Sequence, residues 1–222
     1  MQKALVTGAS GAIGSAISQE LRERLSVEVL ELSTSHCDLR DPLGVSKFLD
    51  GIDVKDISIL VLCAGINNPI SLEKVDSQLF YETININLFS QKLILDRVIP
   101  NMVSQGYGRI VAISSLYATK ARAGRWSYSA SKAAIETLIK STAIEYAHHG
   151  ILANCVTPGF IDTPLTRKNN SQEAIKQIEE RIPLGRLGTP KEIAKIVSFL
   201  LSSENTYITG QSIVADGGIG VI

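Results

Sequence analysis

The sequence has no excess charge of either sign: its 22 basic and 22 acidic side chains cancel over 222 residues. That balance speaks against a polyanion partner such as nucleic acid, which needs a concentrated basic face. The densest positive cluster is only Lys120, Arg122 and Arg125. Cysteine is scarce and odd in number. Cys37, Cys63 and Cys155 show no Cys-x-x-Cys spacing, which supports neither a disulfide framework nor a zinc site. His36, His148 and His149 are too few and too poorly spaced for a metal centre, so no metal is expected. No apolar run reaches the roughly 18 residues of a membrane span, and the first residues run straight into a strand pattern. These absences predict a soluble, untargeted cytoplasmic protein with no membrane partner.

What is present has globular values, 45% apolar and 20% charged residues. A chain of this size, folded as a single domain over 1–222, would bury roughly 70% of its unfolded surface. Short apolar runs at 3–7, 27–32, 57–63, 109–114, 151–157 and 212–215 read as strands. Helical spacing fills most of the gaps, at 12–25, 42–49, 76–102, 128–146, 172–181 and 190–201. Asp41-Pro42 gives a cap with proline at the first helical position, and Thr189-Pro190-Lys191-Glu192 a capping box. Alternation of this kind implies an α/β fold, a doubly wound parallel sheet with helices on both faces. The polar stretch 162–188, with one helix expected in it, is a candidate substrate lid. After the second strand only a few polar residues separate Leu32 from Asp38, too few for a crossover helix.

Two constellations carry chemistry. Thr7-Gly8-Ala9-Ser10-Gly11-Ala12-Ile13-Gly14 lies between a strand and a helix, where glycines allow a tight turn and the helix N-terminus offers N–H groups to a pyrophosphate. In Tyr128-Ser129-Ala130-Ser131-Lys132 the phenol and the ammonium share one helix face. At roughly 4 Å and an effective dielectric of about 20, a phenolate gains on the order of 4 kcal/mol from such a cation. That is enough to bring the tyrosine towards neutrality and let it exchange a proton with a carbonyl or alcohol oxygen, before desolvation pushes back.

With these motifs the chain resembles, over nearly its whole length, the classical short-chain dehydrogenases/reductases. Its tail, from Pro183-Leu184-Gly185-Arg186 through Tyr207-Ile208-Thr209-Gly210-Gln211 to Asp216-Gly217-Gly218, is most similar to the 3-oxoacyl-(acyl-carrier-protein) reductase-like branch. The resemblance implies a Rossmann-like fold and hydride transfer between NAD(P) and a carbonyl/alcohol carbon. It makes Asn87, Ser115, Tyr128 and Lys132 the catalytic tetrad. Tyr128 is then the acid/base, Ser115 holds the substrate oxygen, Lys132 lowers the tyrosine pKa and holds the nicotinamide ribose, and Asn87 holds a relay water. The cofactor is expected on Gly8, Ser10, Gly11, Ala12, Ile13 and Gly14, on Ser33, Asp38 and Leu39 at the adenosine end, and on Ala64 and Gly65. Pro158, Gly159, Ile161 and Thr163 follow on the nicotinamide side, with Tyr128 and Lys132. The substrate implied is a small or carrier-bound ketone, such as a 3-oxoacyl thioester. A sugar or polyol, or a non-catalytic dinucleotide sensor or scaffold on the same fold, are the alternatives. A homotetramer is implied, then a homodimer.

Departures from the family pattern matter. Leu62-Cys63-Ala64-Gly65 stands where the family has Asn-Asn-Ala-Gly, which removes a bracing asparagine and makes Cys63 packing. Counting from Gly14, the place of the acid that selects NAD is Leu32, followed by Ser33-Thr34-Ser35. That favours NADP(H) over NAD(H), unless a one-residue register change brings Glu31 into the place. Trp126, Leu116, Tyr117 and Phe160 suggest a partly apolar pocket. Lys120, Arg122 and Arg125 either greet an anionic substrate or carrier, or form a solvated loop.

Overall fold

The computed structural model describes residues 2–74 and 76–222. Six parallel strands form one sheet in the order β2-β1-β3-β4-β5-β6. They are β1 Lys3–Thr7, β2 Glu28–Leu32, β3 Ile57–Leu62, β4 Gly108–Ile113, β5 Ile151–Pro158 and β6 Ser212–Ala215. The central strands are buried on both faces, which explains why they read as unbroken apolar runs. Along β3, Leu60 and Leu62 enter one core while Ile59 and Val61 enter the other.

The helices that make these two cores are set by their apolar stripes. On one face lie α2 (Pro42–Asp50), α4 (Ser90–Gln105) and α5 (Trp126–Tyr146), through Val45, Leu49, Ile94, Val98, Ile135 and Ile139. On the other lie α1 (Ala12–Glu20) and α8 (Pro190–Leu201), through Ile17, Ile193, Val197 and Leu201. Asp41 caps α2 by accepting from Leu43 N, and Thr189 with Glu192 closes the capping box of α8.

Three expectations need correction. The helix expected over 12–25 is α1 followed by a π turn over Leu21–Leu25. The stretch expected as one helix over 76–102 is α3 (Ser77–Ile84), then a π turn over Asn85–Phe89, then α4. Hydrophobic spacing does not register one inserted residue, whereas the π turn turns Asn87 inwards, 1% exposed. The segment 162–188 holds two helices rather than one, α6 (Pro164–Lys168) and α7 (Gln172–Arg181). Five residues are too few for α6 to show a period, but Thr163 as cap and Pro164 at the first position announce it. Between Leu32 and α2 there is no helix, as the short connection requires; Cys37 and Leu39 tuck into the core there.

Candidate active site

The chain leaves β1 for β2 on one side and returns to β3 on the other, so the strand order reverses between β1 and β3. A crevice opens at the carboxyl ends of such a pair. Gly8 stands there with φ +66°, and a Cβ on it would lie 2.7 Å from Ala64 Cα. A Cβ on Gly14 would collide with the Gly8 carbonyl. Glycine at these positions is therefore a steric requirement, and the backbone forms a cradle at the start of α1. The N-cap of α1, Gly11, offers no side chain to the first N–H groups, which leaves them for an anion. The cradle fits a dinucleotide pyrophosphate.

The missing asparagine of the family pattern is replaced from another strand. Thr7 Oγ1 accepts from the N–H of Cys63 (2.9 Å) and Ala64 (3.1 Å) and donates to Gln91 Oε1 (3.0 Å), binding the ends of β1 and β3 to α4. Cys63 lines the cavity, and burial pushes its thiol up to about 11, so it is packing rather than a reactive group. Asn87 braces the next residues. Its Oδ1 accepts from Ile66 N (2.8 Å), and its Nδ2 donates to Ile66 O and Ser131 Oγ (each 3.0 Å).

A cavity of about 720 Å³, ample for a cofactor and a small substrate, runs from the glycine turn to α6 and is lined by every expected site residue except Asn87, which lies behind its wall. Ser115 ends the segment after β4 and accepts from Tyr117 N (3.2 Å), which fixes its side chain. Tyr128 and Lys132 come from the first turns of α5. The ammonium lies 5.8 Å from the Tyr128 ring centre and donates to Ile113 O at 2.7 Å. The expected depression of the tyrosine is therefore not present here. Burial pushes the Tyr128 phenol up, with the Ser115 hydroxyl and the charge of Arg125 pulling it back, and burial pushes Lys132 down. Desolvation is the largest influence on both groups, and the ammonium is already engaged by the Ile113 carbonyl.

At the adenosine end the register is explicit: Thr7 pairs with Leu32 and Val6 with Glu31. Leu32 lines the cavity, while Glu31 turns to the other face and pairs with Arg22 at 2.7 Å. Ser33, Thr34, Asp38, Leu39 and Arg40 complete that end. Arg40 Nη2 holds the Asp38 carboxylate at 2.7 Å, which keeps the acid below its usual range. At the nicotinamide end Thr163 Oγ1 accepts from Thr166 N as the cap of α6. Ile161 bridges to Gly188 through its neighbours' backbone groups, so its own N–H has no acceptor among the described residues.

Other expectations are rearranged. Trp126 stacks on Phe80 at 5.3 Å and Leu116 packs against α7, so neither lines the cavity, whereas Tyr117 and Phe160 do. Of the three clustered cations only Arg125 reaches it. Sequence spacing missed Asn67, Asn169 and Asn170, which line the wall from irregular segments without a motif.

A parallel doubly wound sheet with a glycine cradle at its switch point, and a serine, tyrosine and lysine in the same cavity, defines a dinucleotide-dependent oxidoreductase. Residues 5–220 match the family model described as enoyl-(acyl carrier protein) reductase. The chain is 34% identical over 235 residues to a 3-oxoacyl-(acyl-carrier-protein) reductase of Rickettsia bellii, covering 98% of this chain and 96% of that protein. A short-chain dehydrogenase family protein of Francisella tularensis superposes over 100% of both chains with a TM-score of 0.90 and 30% identity. The aldohexose dehydrogenase of Thermoplasma acidophilum does so over 100% of this chain and 94% of its own with 0.86 and 30%. The protein belongs to the short-chain dehydrogenase/reductase family, whose members use NAD(P) as their redox partner.

Proposed function

We propose that this enzyme reduces a 3-oxoacyl thioester or a similar ketone, with Asn87, Ser115, Tyr128 and Lys132 as its machinery and NADPH as the preferred reductant. The carrying observation is that Ser115, Tyr128 and Lys132 share one cavity with the Gly8–Gly14 cradle. When bound, the nicotinamide supplies the hydride: a C–H bond forms at the carbonyl carbon and the C=O π pair moves onto oxygen, which takes a proton from Tyr128. Ser115 directs that oxygen by a hydrogen bond. Lys132 recharges the phenol and holds the ribose. Asn87 Oδ1 and Lys132 Nζ stand 3.3 and 3.4 Å from where a Gly65 Cβ would be, so glycine leaves a gap between them that suits a relay water. Gly8, Ser10, Gly11, Ala12, Ile13, Gly14, Ala64 and Gly65 hold the pyrophosphate and ribose side, and Pro158, Gly159, Ile161 and Thr163 the carboxamide.

Preference for NADPH rests on Leu32 in the acid's place, the diversion of Glu31 to Arg22, and the hydroxyls and Arg40 beside Leu32. Segment 162–188 serves as the lid of a single domain, and the enzyme works in the cytoplasm as a homotetramer, or failing that a homodimer. A sugar or polyol dehydrogenase is the second reading, favoured by the Asn67, Asn169 and Asn170 amides in the wall.

Turnover of an acetoacetyl thioester against a polyol panel tests the substrate, and the ratio of kcat/KM for NADPH over NADH, expected above one, tests the cofactor. Tyr128→Phe should bind cofactor normally and lose about 10³-fold or more in turnover. Retained activity refutes the role of Tyr128, whereas tight cofactor binding without turnover of any substrate points to a sensor or scaffold.

A further inference from the structure

One group in the cavity has no task in this chemistry. Arg125 stands at the N-cap of α5, three residues before Tyr128, and is only 7% exposed. Five N–H donors and a charge are costly to strip of water, so buried guanidinium groups are normally held by carboxylates or by several carbonyl oxygens. Arg109 shows that structural solution in the same chain. At 8% exposed, it donates to the carbonyls of Gly108, Gly150 and Asn205 and lies 4.4 Å from the Tyr107 ring centre.

Arg125 has no such set of acceptors. Among the described residues its one side-chain hydrogen bond runs from Nη1 to Asn67 Oδ1 at 2.7 Å, and it enters none of the ion pairs found there. Nε and Nη2 have no acceptor among the described residues, yet neither is sealed off, because the side chain lines the cavity. The ionisable groups that face it are Tyr117, Arg122 and Tyr128, with no acid among them. Burial accordingly pulls its pKa below the usual arginine value. Asn67 is itself fixed, since its carbonyl accepts from Asn169 Nδ2 at 3.0 Å. The guanidinium is thus buried, lines the cavity and is unneutralised near the proton donor.

We infer that the substrate carries a carboxylate near its reacting carbonyl, and that Arg125, steadied by Asn67, binds it. A planar fork suits a carboxylate through two parallel N–H···O bonds. One positive charge balances a monoanion, whereas a phosphate dianion would leave a charge uncompensated in a partly desolvated site. The other nearby cations are committed elsewhere: Arg122 donates to Tyr117 Oη, Lys120 to the carbonyls of Ile219 and Ile222, and Lys132 to Ile113 O. The inference rests on the oxidoreductase reading above and narrows its ketone to a free oxo acid, or an acyl chain ending in a carboxylate, rather than a neutral acyl thioester. The redox step is the one already written.

Kinetics at saturating NADPH on a short 3-oxo acid, its methyl ester and its thioester test this in the wild type, Arg125→Gln and Arg125→Lys. The wild type is expected to prefer the acid. Arg125→Gln should lower the acid-to-ester ratio of kcat/KM by roughly 10²-fold, mostly through KM, as loss of one partner of a buried charge pair does; Arg125→Lys should recover part of it. A wild type that prefers the ester or thioester, or a ratio that Arg125→Gln leaves unmoved while NADPH binding persists, overturns the inference and leaves the oxidoreductase standing. No turnover of any of the three with NADPH bound overturns both. Should the variants fail to fold, inhibition of the wild type decides. Butanoate must compete with the ketone better than butanamide and inorganic phosphate do, and the reverse order refutes the carboxylate.

Discussion

Tyr128 and Lys132 carry opposite burdens at the residue scale. Burial raises the phenol and lowers the ammonium, so each is driven towards its neutral form. A raised phenol pKa means that the protonated form, the one needed to reduce a ketone, persists through neutral pH and beyond. The kcat/KM for reduction should therefore be flat from pH 6 to about 9 in its dependence on Tyr128, falling only on the alkaline side. A stopped-assay pH series that loses activity with an apparent pKa near 7 would show that the tyrosine is depressed before substrate binds. The Tyr-x-x-x-Lys spacing made the two residues legible but not their electrostatics, because the carbonyl that captures Lys132 belongs to Ile113, the last residue of β4.

At the scale of the element, α8 closes one face of the sheet, and its start depends on a compact set of polar bonds. The Glu192 carboxylate accepts from Arg186 Nη2 (2.7 Å), Thr189 N (2.8 Å) and Thr189 Oγ1 (2.9 Å), which holds it at about 2 against the usual 4.5. Because the folded pKa is depressed, this stabilisation is complete above about pH 4.5 and disappears as the pH falls towards 2. The carboxyl is half exposed, so its charge contributes modestly. Urea unfolding of the wild type and Glu192→Gln should differ most at pH 7, less at pH 3, and converge only at about pH 2 and below; an equal difference at pH 7 and pH 3 would refute the account. Thr189→Ala should cost about 1 kcal/mol at pH 7. This capping box was readable in four consecutive residues. By contrast, the π turn that carries Asn87 was not, since an inserted residue changes backbone geometry without changing apolar spacing.

For the whole molecule, the question is what covers the apolar side chains left outside. Phe89 at the start of α4 and Ile144 near the end of α5 are exposed, as are Val214 on the edge strand β6 and Leu184 and Val221 in the C-terminal part of the chain. Such a distribution suits closed assembly of four chains. Light scattering at micromolar concentration is expected to give a mass near four times the 24.0 kDa chain, with twice the mass of one chain as the second outcome. A stable mass of one chain would refute association.

The sequence by itself determined the strands, the glycine turn, the helix caps and the Tyr128–Lys132 pair, because each depends on residues adjacent in the chain or one turn apart. It left open whether Leu32 or Glu31 ends β2 at the cavity, a choice that the pairing of Thr7 with Leu32 makes. Tertiary structure alone decided the rest. Thr7 and Gln91, 84 residues apart, replace the missing asparagine, and Arg125 is distinguished from Arg122 only by which of them Asn67 draws into the cavity. These are contacts between segments distant in sequence, where burial and the absence of a counter-charge follow from what the fold packs around a residue, and no local spacing records that.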